Sequence, residues 1–332
     1  MGLTPGILTA YLYFEREPVK GVGRTMWQRS VLILALGSFF AAAAPAYAVG
    51  TAPNAGSTST LTTSKPRPTP APSSRSSSDG PSLRSSSVLI WDATHSAVLY
   101  SRRADVAMPI ASITKLMTAL VVLQGGQSLD EFIEVTRDDI FVGKSGVSRL
   151  KVGTVLSRGD FIHLALMSSE NRAAHVLGRT YPGGLKAFVR AMNERAVALG
   201  MSHTHFVDPA GLSSENVASS ADLSKLVMAA SENPIIREYS TDKGYVVRSG
   251  RQMLSFRNTD SLVSNPNWNI IVQKTGYISE AGKCLVMQAI IEERTVVIVL
   301  LDSFGKYTRV ADAKRIKKWM EWRLSADLGH ES

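Results

Sequence analysis

A serine and a lysine lie three residues apart in an otherwise apolar stretch, MPIASITKLMTAL, which runs from Met108 to Leu120. Residues three apart share a face of a helix, so Ser112 and Lys115 would lie side by side. The residues around them are almost all apolar, and a helix that is apolar on nearly every face is usually buried. Burying a lysine without a partner costs several kcal/mol. The pattern therefore predicts that Lys115 is either paired or retained for chemistry.

A buried lysine of this kind can serve as the base for a serine nucleophile. Its pKa, ordinarily about 10.4, falls on burial and falls further beside a second cation. The six histidines of the chain occupy ordinary turn, helix or terminal positions and offer no credible His–Asp pair for a serine. A Ser–Lys pair is therefore the stronger candidate for nucleophilic catalysis.

Two further short motifs follow this pair along the chain. Ser-x-x-Lys occurs four times, but only the copy at Ser112 lies on an apolar helix. Ser-Glu-Asn at residues 169–171 comes next, in a helical segment, and Lys-Thr-Gly at residues 274–276 follows on a late strand. A Lys-Ser-Gly at residues 144–146 comes before both and has no strand around it. This order and setting resemble the penicillin-recognising serine acyltransferases.

The resemblance extends over residues 88–320, which are similar to the low-molecular-mass penicillin-binding proteins, the serine D-alanyl-D-alanine carboxypeptidase and endopeptidase family. DATHSAVLYSRRADVAMPIASITKLMTA resembles the family's first hairpin and nucleophile helix, and THFVDPAGLSSENVASSADLSKL resembles its middle loop. MSSENRAAHVLGRTYPGG and QKTGYISEAGKCLVM resemble the endopeptidase branch, which cuts cross-links in peptidoglycan. One departure is Glu170, where Asp or Gly is more usual, and it bears on substrate preference.

The resemblance implies a catalytic role for three side chains. Ser112 is expected to be the acyl-accepting nucleophile, and Lys115 the base that takes its proton. Ser169 is expected to relay that proton to the leaving amine. The oxyanion would be held by the backbone N–H groups of Ser112 and Tyr277.

Substrate binding is expected at the other motif residues. Asn171 would hold a backbone amide of the substrate, and Lys274 and Thr275 would bind its carboxylate or carbonyl side. Lys274 is also the expected second cation beside Lys115. Gly276 would let the substrate lie along the strand as an added β-strand. No cofactor and no metal ion is expected.

The elements around the motifs predict an α/β (α+β) fold of the serine β-lactamase/transpeptidase type. An N-terminal hairpin, several helices and a group of late strands imply an antiparallel sheet assembled from both chain ends, flanked by helices and with a helical insertion. The predicted elements are strands at 88–91 and 97–100, a helix opened by Pro109, helices at 157–179, 185–199 and about 219–233, strands at 244–249, 267–276, 283–293 and 294–303, and a basic helix over Thr308–Leu324.

The N-terminal region predicts an exported protein. The segment Met26-Trp-Gln-Arg29, with a basic residue at its end, precedes an apolar run at 31–44, and Ala46-Tyr-Ala48 has the pattern of a signal-peptidase site. The run is short for a membrane span of about 20 residues, so we expect cleavage and a periplasmic location, with an uncleaved anchor as the alternative. The predicted organisation is a leader at 1–48, whose true start could be Met26, a Ser/Thr/Pro-rich tether at 49–87 and a peptidase domain at 88–332.

Composition limits the partners. The chain is 332 residues long with a formal net charge of +9, of which +4 belongs to residues 88–332 (29 Lys+Arg against 25 Asp+Glu). This mild charge suits an acidic polymer such as a cell wall, although solubility explains it about as well, and no nucleic-acid-binding motif is present. The expected partners are peptidoglycan stem peptides, with β-lactams as covalent inhibitors. A single cysteine, Cys284, excludes an internal disulfide and is read as a buried hydrophobe. Trp319 and Trp322 of the basic last helix are read as packing residues, with at most loose membrane association as the alternative.

Several other functions remain open at this stage. A carboxypeptidase would use the same chemistry on a terminal D-alanine. A serine β-lactamase needs a carboxylate that activates a deacylating water, for which Glu215 is the nearest candidate. A non-catalytic wall-binding scaffold could retain the fold. His203 and His205 could lie on one face of a strand and begin a metal site, although further ligands would be needed.

Overall fold

The computed structural model describes residues 80–140 and 148–328. The strands are β1 Ser85–Asp92, β2 Ala97–Arg102, β3 Met108–Pro109, β4 Phe132–Glu134, β5 Val155–Ser157, β6 Val217–Ala218, β7 Gly244–Ser249, β8 Gln252–Arg257, β9 Asn269–Ile278, β10 Gly282–Ile291 and β11 Arg294–Ser303. The helices are α1 Thr114–Gln124, α2 Arg158–Met167, α3 Asn171–Arg179, α4 Gly184–Ala198, α5 Ser220–Ser231, α6 Pro234–Thr241 and α7 Thr308–Leu328.

The central sheet is built from both ends of the described chain, as the sequence predicts. Its strand order is β2-β1-β11-β10-β9, and every neighbouring pair is antiparallel. Strand β1 pairs with β11, so the N-terminal hairpin is joined to the last strand of the sheet. The expected mixed fold with an antiparallel sheet and a helical insertion is confirmed.

The two faces of the sheet carry separate cores because successive residues of a strand point to opposite sides. Val286 and Val299 belong to the larger core, which the sheet shares with the helices inserted between β2 and β7. Leu285 and Ile298 belong to the smaller core under α7, to which Ile316 contributes. Both faces are therefore covered, which explains why the strand sequences are apolar runs rather than alternating patterns.

The folded domain begins earlier than residue 88, where the sequence analysis placed it. Strand β1 starts at Ser85, inside the predicted tether. Ser85 and Ser87 are buried. The Oγ atom of Ser85 lies 2.7 Å from Ser303 Oγ and donates to Asp312 Oδ2 at 2.7 Å. A serine-rich composition suggested a solvated tether, but these hydroxyls are satisfied inside the sheet.

The predicted helical segment 157–179 is interrupted in the structure. The carbonyl of Leu164 accepts hydrogen bonds from the backbone N–H groups of both Ser168 and Glu170, at 3.2 and 3.1 Å. Ser169 between them adopts a left-handed backbone with φ of 61°. Apolar periodicity continues across this break, which is why the sequence pattern alone did not reveal it.

Three smaller expectations are also corrected. Pro109 lies in β3, paired with Val217, rather than in the first turn of the helix. Helix α6 and strand β8 occupy segments for which the sequence predicted no element. Trp319 packs against the smaller core, but Trp322 is 61% exposed and is not a packing residue.

Two findings concern the buried cysteine and the membrane. Cys284 is fully buried with a free thiol, as expected. Within residues 80–140 and 148–328, no helix combines the length and apolarity that a membrane span requires.

Candidate active site

Ser112 lies in a short 3-10 turn, Ala111–Ile113, immediately before α1. Ala111 has a φ of 48°, a conformation that non-glycine residues rarely adopt and that tends to occur at functional sites. Gly211 allows the loop after α4 to pack against this turn, since a Cβ atom there would lie 1.9 Å from the Ala111 carbonyl oxygen. The conformation of the turn is therefore constrained by the backbone of Ala111 and by the loop packed against it at Gly211.

Lys115, one turn further along, is fully buried and directed at the serine. Its Nζ atom donates to Ser112 Oγ at 2.7 Å. It also donates to Asn171 Oδ1 at 2.8 Å and to the backbone oxygen of Ala210 at 2.6 Å. All three N–H bonds of the ammonium group are thus directed at neutral oxygens, and no carboxylate makes a salt bridge to it among the described residues.

The surroundings of Lys115 favour its neutral form. Burial lowers its pKa from 10.5 to about 7, while the charges of Asp208 and Glu170 act in the opposite direction. Desolvation disfavours an ammonium group because the interior solvates charge poorly. Lys115 therefore gains and loses its proton near neutral pH, in contact with the Ser112 hydroxyl.

The break between α2 and α3 presents the second motif. Asn171 is the first residue of α3, and its side chain reaches Lys115. Glu170 caps the helix, because its Oε1 atom accepts the backbone N–H of Arg172 at 3.3 Å. Ser169 lies in the left-handed turn, and none of the hydrogen bonds within the described residues involves its hydroxyl. The contact of Asn171 with Lys115 was not predicted from the sequence, which assigned Asn171 to the substrate. Ser169 precedes Asn171 by two residues and has no hydrogen-bonded partner for its hydroxyl among the described residues.

The third motif lies on β9, which pairs only with β10 among the described strands and so leaves its other edge open. Lys274 is fully buried and donates to the carbonyl of Thr275 at 2.9 Å. Its pKa is lowered well below 10.5, first by burial and then by the charges of Lys115 and Arg309. The charge of Lys115 therefore lowers the pKa of Lys274, whereas the pKa of Lys115 itself is lowered by burial alone. The expected lowering of the Lys115 pKa by Lys274 is not seen.

Gly276 brings this strand against the nucleophile turn. A Cβ atom at Gly276 would lie 2.8 Å from the Ile110 carbonyl oxygen and 3.2 Å from the backbone nitrogen of Ser112. Only glycine allows this approach without a shift of the turn. The Arg309 guanidinium on α7 holds the strand in place by donating to the Gly276 carbonyl at 2.9 Å. The next residue, Tyr277, is 58% exposed.

The loop that supplies the Ala210 carbonyl was not assigned a role from the sequence. Both carboxylate oxygens of Asp208 accept backbone N–H groups of the following four residues, Ala210 to Ser213, at 2.6–3.3 Å. Asn216 ties the loop to α1 by donating to Thr114 Oγ1 at 3.1 Å. The signal was available in the Asp-Pro-x-Gly stretch, since an aspartate before a glycine turn commonly bonds its own backbone.

The candidates for other chemistries lie apart from this cluster. Glu215 is exposed in the loop and makes its own backbone bond to Ser213 Oγ at 3.1 Å. His203 and His205 are exposed, and no group of three or more metal-ligand side chains occurs within the residues that the structure describes. The Lys-Ser-Gly at 144–146 lies outside the described residues.

The chain is similar to known proteins in both sequence and fold. The Peptidase_S11 family model, described as D-alanyl-D-alanine carboxypeptidase, matches residues 74–305. A D-alanyl-D-alanine endopeptidase of Pseudomonas aeruginosa is 48% identical over 241 residues, which are 72% of this chain and 78% of that protein. One of Escherichia coli is 46% identical over 243 residues, 73% of this chain and 78% of that protein.

The crystal structure of the Streptomyces K15 DD-transpeptidase is similar to this fold with a TM-score of 0.68 and 26% sequence identity. The match covers 72% of this chain and 97% of that one. The chain therefore belongs to the S11 family of D-alanyl-D-alanine peptidases and is a serine-type hydrolase of that family.

Proposed function

We propose that this chain is a peptidoglycan D-alanyl-D-alanine endopeptidase that works through an acyl-enzyme on Ser112. One observation carries the proposal: a buried lysine with a pKa of about 7 touches the serine hydroxyl at 2.7 Å. The names of the relatives at 48% and 46% identity support the endopeptidase reaction over others of the family.

The contacts of Lys115 explain how it would act as the base. When the ammonium group loses one proton, two N–H bonds remain for Asn171 Oδ1 and the Ala210 carbonyl. The lone pair is then left facing Ser112 Oγ. Lys115 takes the hydroxyl proton as Oγ attacks the carbonyl carbon of a D-alanyl residue. The two fixed acceptors thus determine the direction in which the base points.

The later steps use the remaining motif residues. The backbone N–H groups of Ser112 and Tyr277 would hold the oxyanion, and one such donor contributes about 3–4 kcal/mol. The C–N bond then breaks, and Ser169 passes the proton from Lys115 to the leaving amine. Water hydrolyses the ester on Ser112, with Lys115 again as the base. The close approach of Gly276 to the Ser112 nitrogen supports this placement of the oxyanion.

The open edge of β9 suits a peptide substrate that binds as an added strand. Lys274 and Thr275 would take the carboxylate or carbonyl side of the leaving group. Because Asn171 uses its side-chain oxygen on Lys115, its amide nitrogen remains to donate to a substrate carbonyl. A carboxypeptidase reaction is the alternative, which the description of the family model favours, and it differs only in the leaving amine. β-Lactams would acylate the same serine.

We extend the proposal to the whole chain. Residues 1–48 act as an exported leader with cleavage after Ala48, the tether follows, and the peptidase domain begins at Ser85 and acts in the periplasm. The leader and most of the tether lie outside the described residues. Fractionation of cells that express the chain, with mass determination of the mature N-terminus, tests this part.

The central test uses the purified full-length chain, with and without Ser112→Ala, incubated with fluorescent penicillin and separated on a denaturing gel. We expect a stable labelled band that Ser112→Ala abolishes. If the parent chain is not labelled and the penicillin stays intact, the proposal is overturned. If the parent chain is not labelled but the penicillin is hydrolysed, the protein is a β-lactamase. Digestion of purified cross-linked muropeptides then separates the two peptidase reactions, since the endopeptidase yields two monomers and the carboxypeptidase releases free D-alanine.

A further inference from the structure

Cations and exposed aromatic rings gather at the end of β9, just beyond the site described above. We call this surface the basic-aromatic patch, and it comprises Tyr277, Lys283, Phe304, Lys306, Tyr307 and Arg309. Lys283 is the direct register partner of Tyr277, and its Nζ atom lies 3.9 Å from the centre of that ring. Lys306 lies 5.2 Å from the ring of Tyr307. The patch is therefore continuous with the strand that carries the third motif.

The three cations of the patch crowd one another. The pKa of Lys283 is lowered first by partial burial and then by the charges of Arg309 and Lys306. Within residues 80–140 and 148–328, none of the three makes a salt bridge. Several other charged side chains of the described protein are ion-paired, as Arg315 is with Asp312 at 2.5 Å. Burial lowers the pKa of Arg309, and Asp260 is close enough to act in the opposite direction but makes no salt bridge with it. Like charges that lack a carboxylate in direct contact indicate a place where a ligand supplies the anion.

The aromatic rings of the patch are exposed to an unusual degree. Phe304 is 90% exposed, Tyr307 is 70% exposed and Tyr277 is 58% exposed. Large exposed apolar groups close together mark interaction sites more often than ordinary surface. Aromatic and basic side chains in one patch fit a ligand that has both an aliphatic chain and an anionic group.

The position of the patch on β9 decides which part of a substrate it meets. This step rests on the proposed function, in which Lys274 and Thr275 lie on the side of the leaving group. The acyl carbonyl then lies between the N–H groups of Ser112 and Tyr277. The peptide arm that donates the acyl group must therefore continue past Tyr277, toward Lys283 and away from Lys274.

We propose that the basic-aromatic patch binds a free carboxylate on the acyl-donating peptide arm, one or two residues before the scissile D-alanine. Lys283 and Lys306 supply the charge, and Arg309 contributes while it holds the Gly276 carbonyl. The rings of Tyr277, Phe304 and Tyr307 cover the aliphatic part of the arm. A peptide whose carboxylate is amidated would lose the charge-assisted contacts and bind more weakly. An anionic lipid surface is a different class of partner for such a patch, but continuity with β9 favours the substrate.

The test measures binding apart from catalysis. The full-length chain carrying Ser112→Ala is titrated by calorimetry with two synthetic peptides that end in D-Ala-D-Ala and differ only in a free or amidated carboxylate before them. We expect the acid to bind about tenfold more tightly than the amide at low salt, with the preference reduced at high salt. Adding Lys283→Gln and Lys306→Gln should reduce the preference below about twofold. Adding Lys186→Gln and Lys318→Gln, two exposed lysines elsewhere, removes the same charge and should leave it unchanged.

Since each preference is a ratio within one protein, partial misfolding of a variant does not imitate the result. Equal binding of acid and amide, or a preference that survives Lys283→Gln with Lys306→Gln, overturns the proposal. Binding to phosphatidylglycerol vesicles that disappears in that double variant while the peptide preference persists overturns it in favour of a membrane surface. Penicillin labelling of the parent chain tests the Ser112 nucleophile separately, so failure of the patch and failure of the proposed function are distinguishable.

Discussion

Within the described residues, helix α3 contributes side chains to two buried charged centres, one without an ion pair and one with an ion pair. At its first residue, Asn171 contacts Lys115, whose ammonium group is surrounded by neutral oxygens. Further along the helix, His175 and Arg179 converge on Asp139, which is fully buried. Burial would raise the pKa of Asp139, but the hydrogen bonds from these two side chains and from a backbone N–H outweigh it and lower the pKa to about 2.

The difference separates a structural charge from a reactive one. Asp139 keeps its charge at ordinary pH values because the Arg179 guanidinium and a ring nitrogen of His175 lie within 2.9 Å of its carboxylate. Lys115 has hydrogen-bond acceptors around it but no carboxylate in contact among the described residues. Its charged and neutral forms are therefore close in free energy near pH 7. A buried ionisable group that is well hydrogen-bonded yet not ion-paired is therefore the better sign of chemistry.

The largest effect is expected from removing the reactive lysine. Lys115→Ala should lower the rate of acylation by penicillin about a thousandfold or more, because the base beside Ser112 is lost. Thermal unfolding of the variant should still be cooperative, since α1 keeps its apolar contacts. Stopped-flow acylation kinetics provide the measurement, with Lys225→Ala, a surface lysine paired with Asp222, as the control. Retention of most of the acylation rate would show that Lys115 is not the base.

The matching change at the structural centre should affect stability rather than chemistry. Asp139→Asn leaves the buried ends of His175 and Arg179 without their anion, and breaking such a pair costs about 3 kcal/mol of unfolding free energy. Urea denaturation measures this loss. Acylation by the folded fraction should change by less than about threefold. If Asp139→Asn slows acylation as strongly as Lys115→Ala and leaves stability unchanged, Asp139 is not a purely structural charge.

The reactive centre can be predicted from sequence, because the apolar run around Lys115 predicts that this lysine is buried. The helical insertion and the sheet built from both chain ends also follow from the order of periodic segments. The Asp139 centre could not be anticipated in the same way. Its acceptor lies in a short turn and its donors lie on α3, and only the tertiary fold brings the two together.

The backbone features of the site are the hardest to predict from sequence. Left-handed conformations at Ala111 and Ser169 have no residue signature, since glycine is absent from both positions. The Ala210 carbonyl is a main-chain group, so no side-chain motif identifies it. These groups are held by surrounding structure, by Asp208 in the case of the loop, rather than by local preference.

The two centres should also titrate at different ends of the pH scale. Acylation should rise about tenfold per pH unit up to about pH 7 and level off above it, because the neutral form of Lys115 increases. The pKa of Lys115 is lower in the folded chain than in the unfolded one, so its contribution to stability rises with pH between about 7 and 10.5. For Asp139 the folded pKa is about 2 against 3.8 unfolded, so its contribution is lost as pH falls through that interval.

Acylation by fluorescent penicillin between pH 5 and pH 9 measures the first dependence, and urea denaturation between pH 2 and pH 5 measures the second. A rate that stays constant from pH 5 to pH 8 would contradict the lowered pKa of Lys115. Asp139→Asn should flatten the acid loss of stability and leave the acylation profile in place.

The smallest effect is expected from Glu170, the unusual middle residue of the second motif. Its charge raises the pKa of Lys115. Glu170→Gln removes that charge but keeps an oxygen that can accept the backbone N–H of Arg172, so the start of α3 should persist. The acylation profile should then move to lower pH, with a rate about twofold higher than that of the parent at pH 6 and little change at pH 8. Glu194→Gln on the exposed face of α4 is the control, and a profile that moved to higher pH would mean that Glu170 acts on Lys115 through position rather than charge.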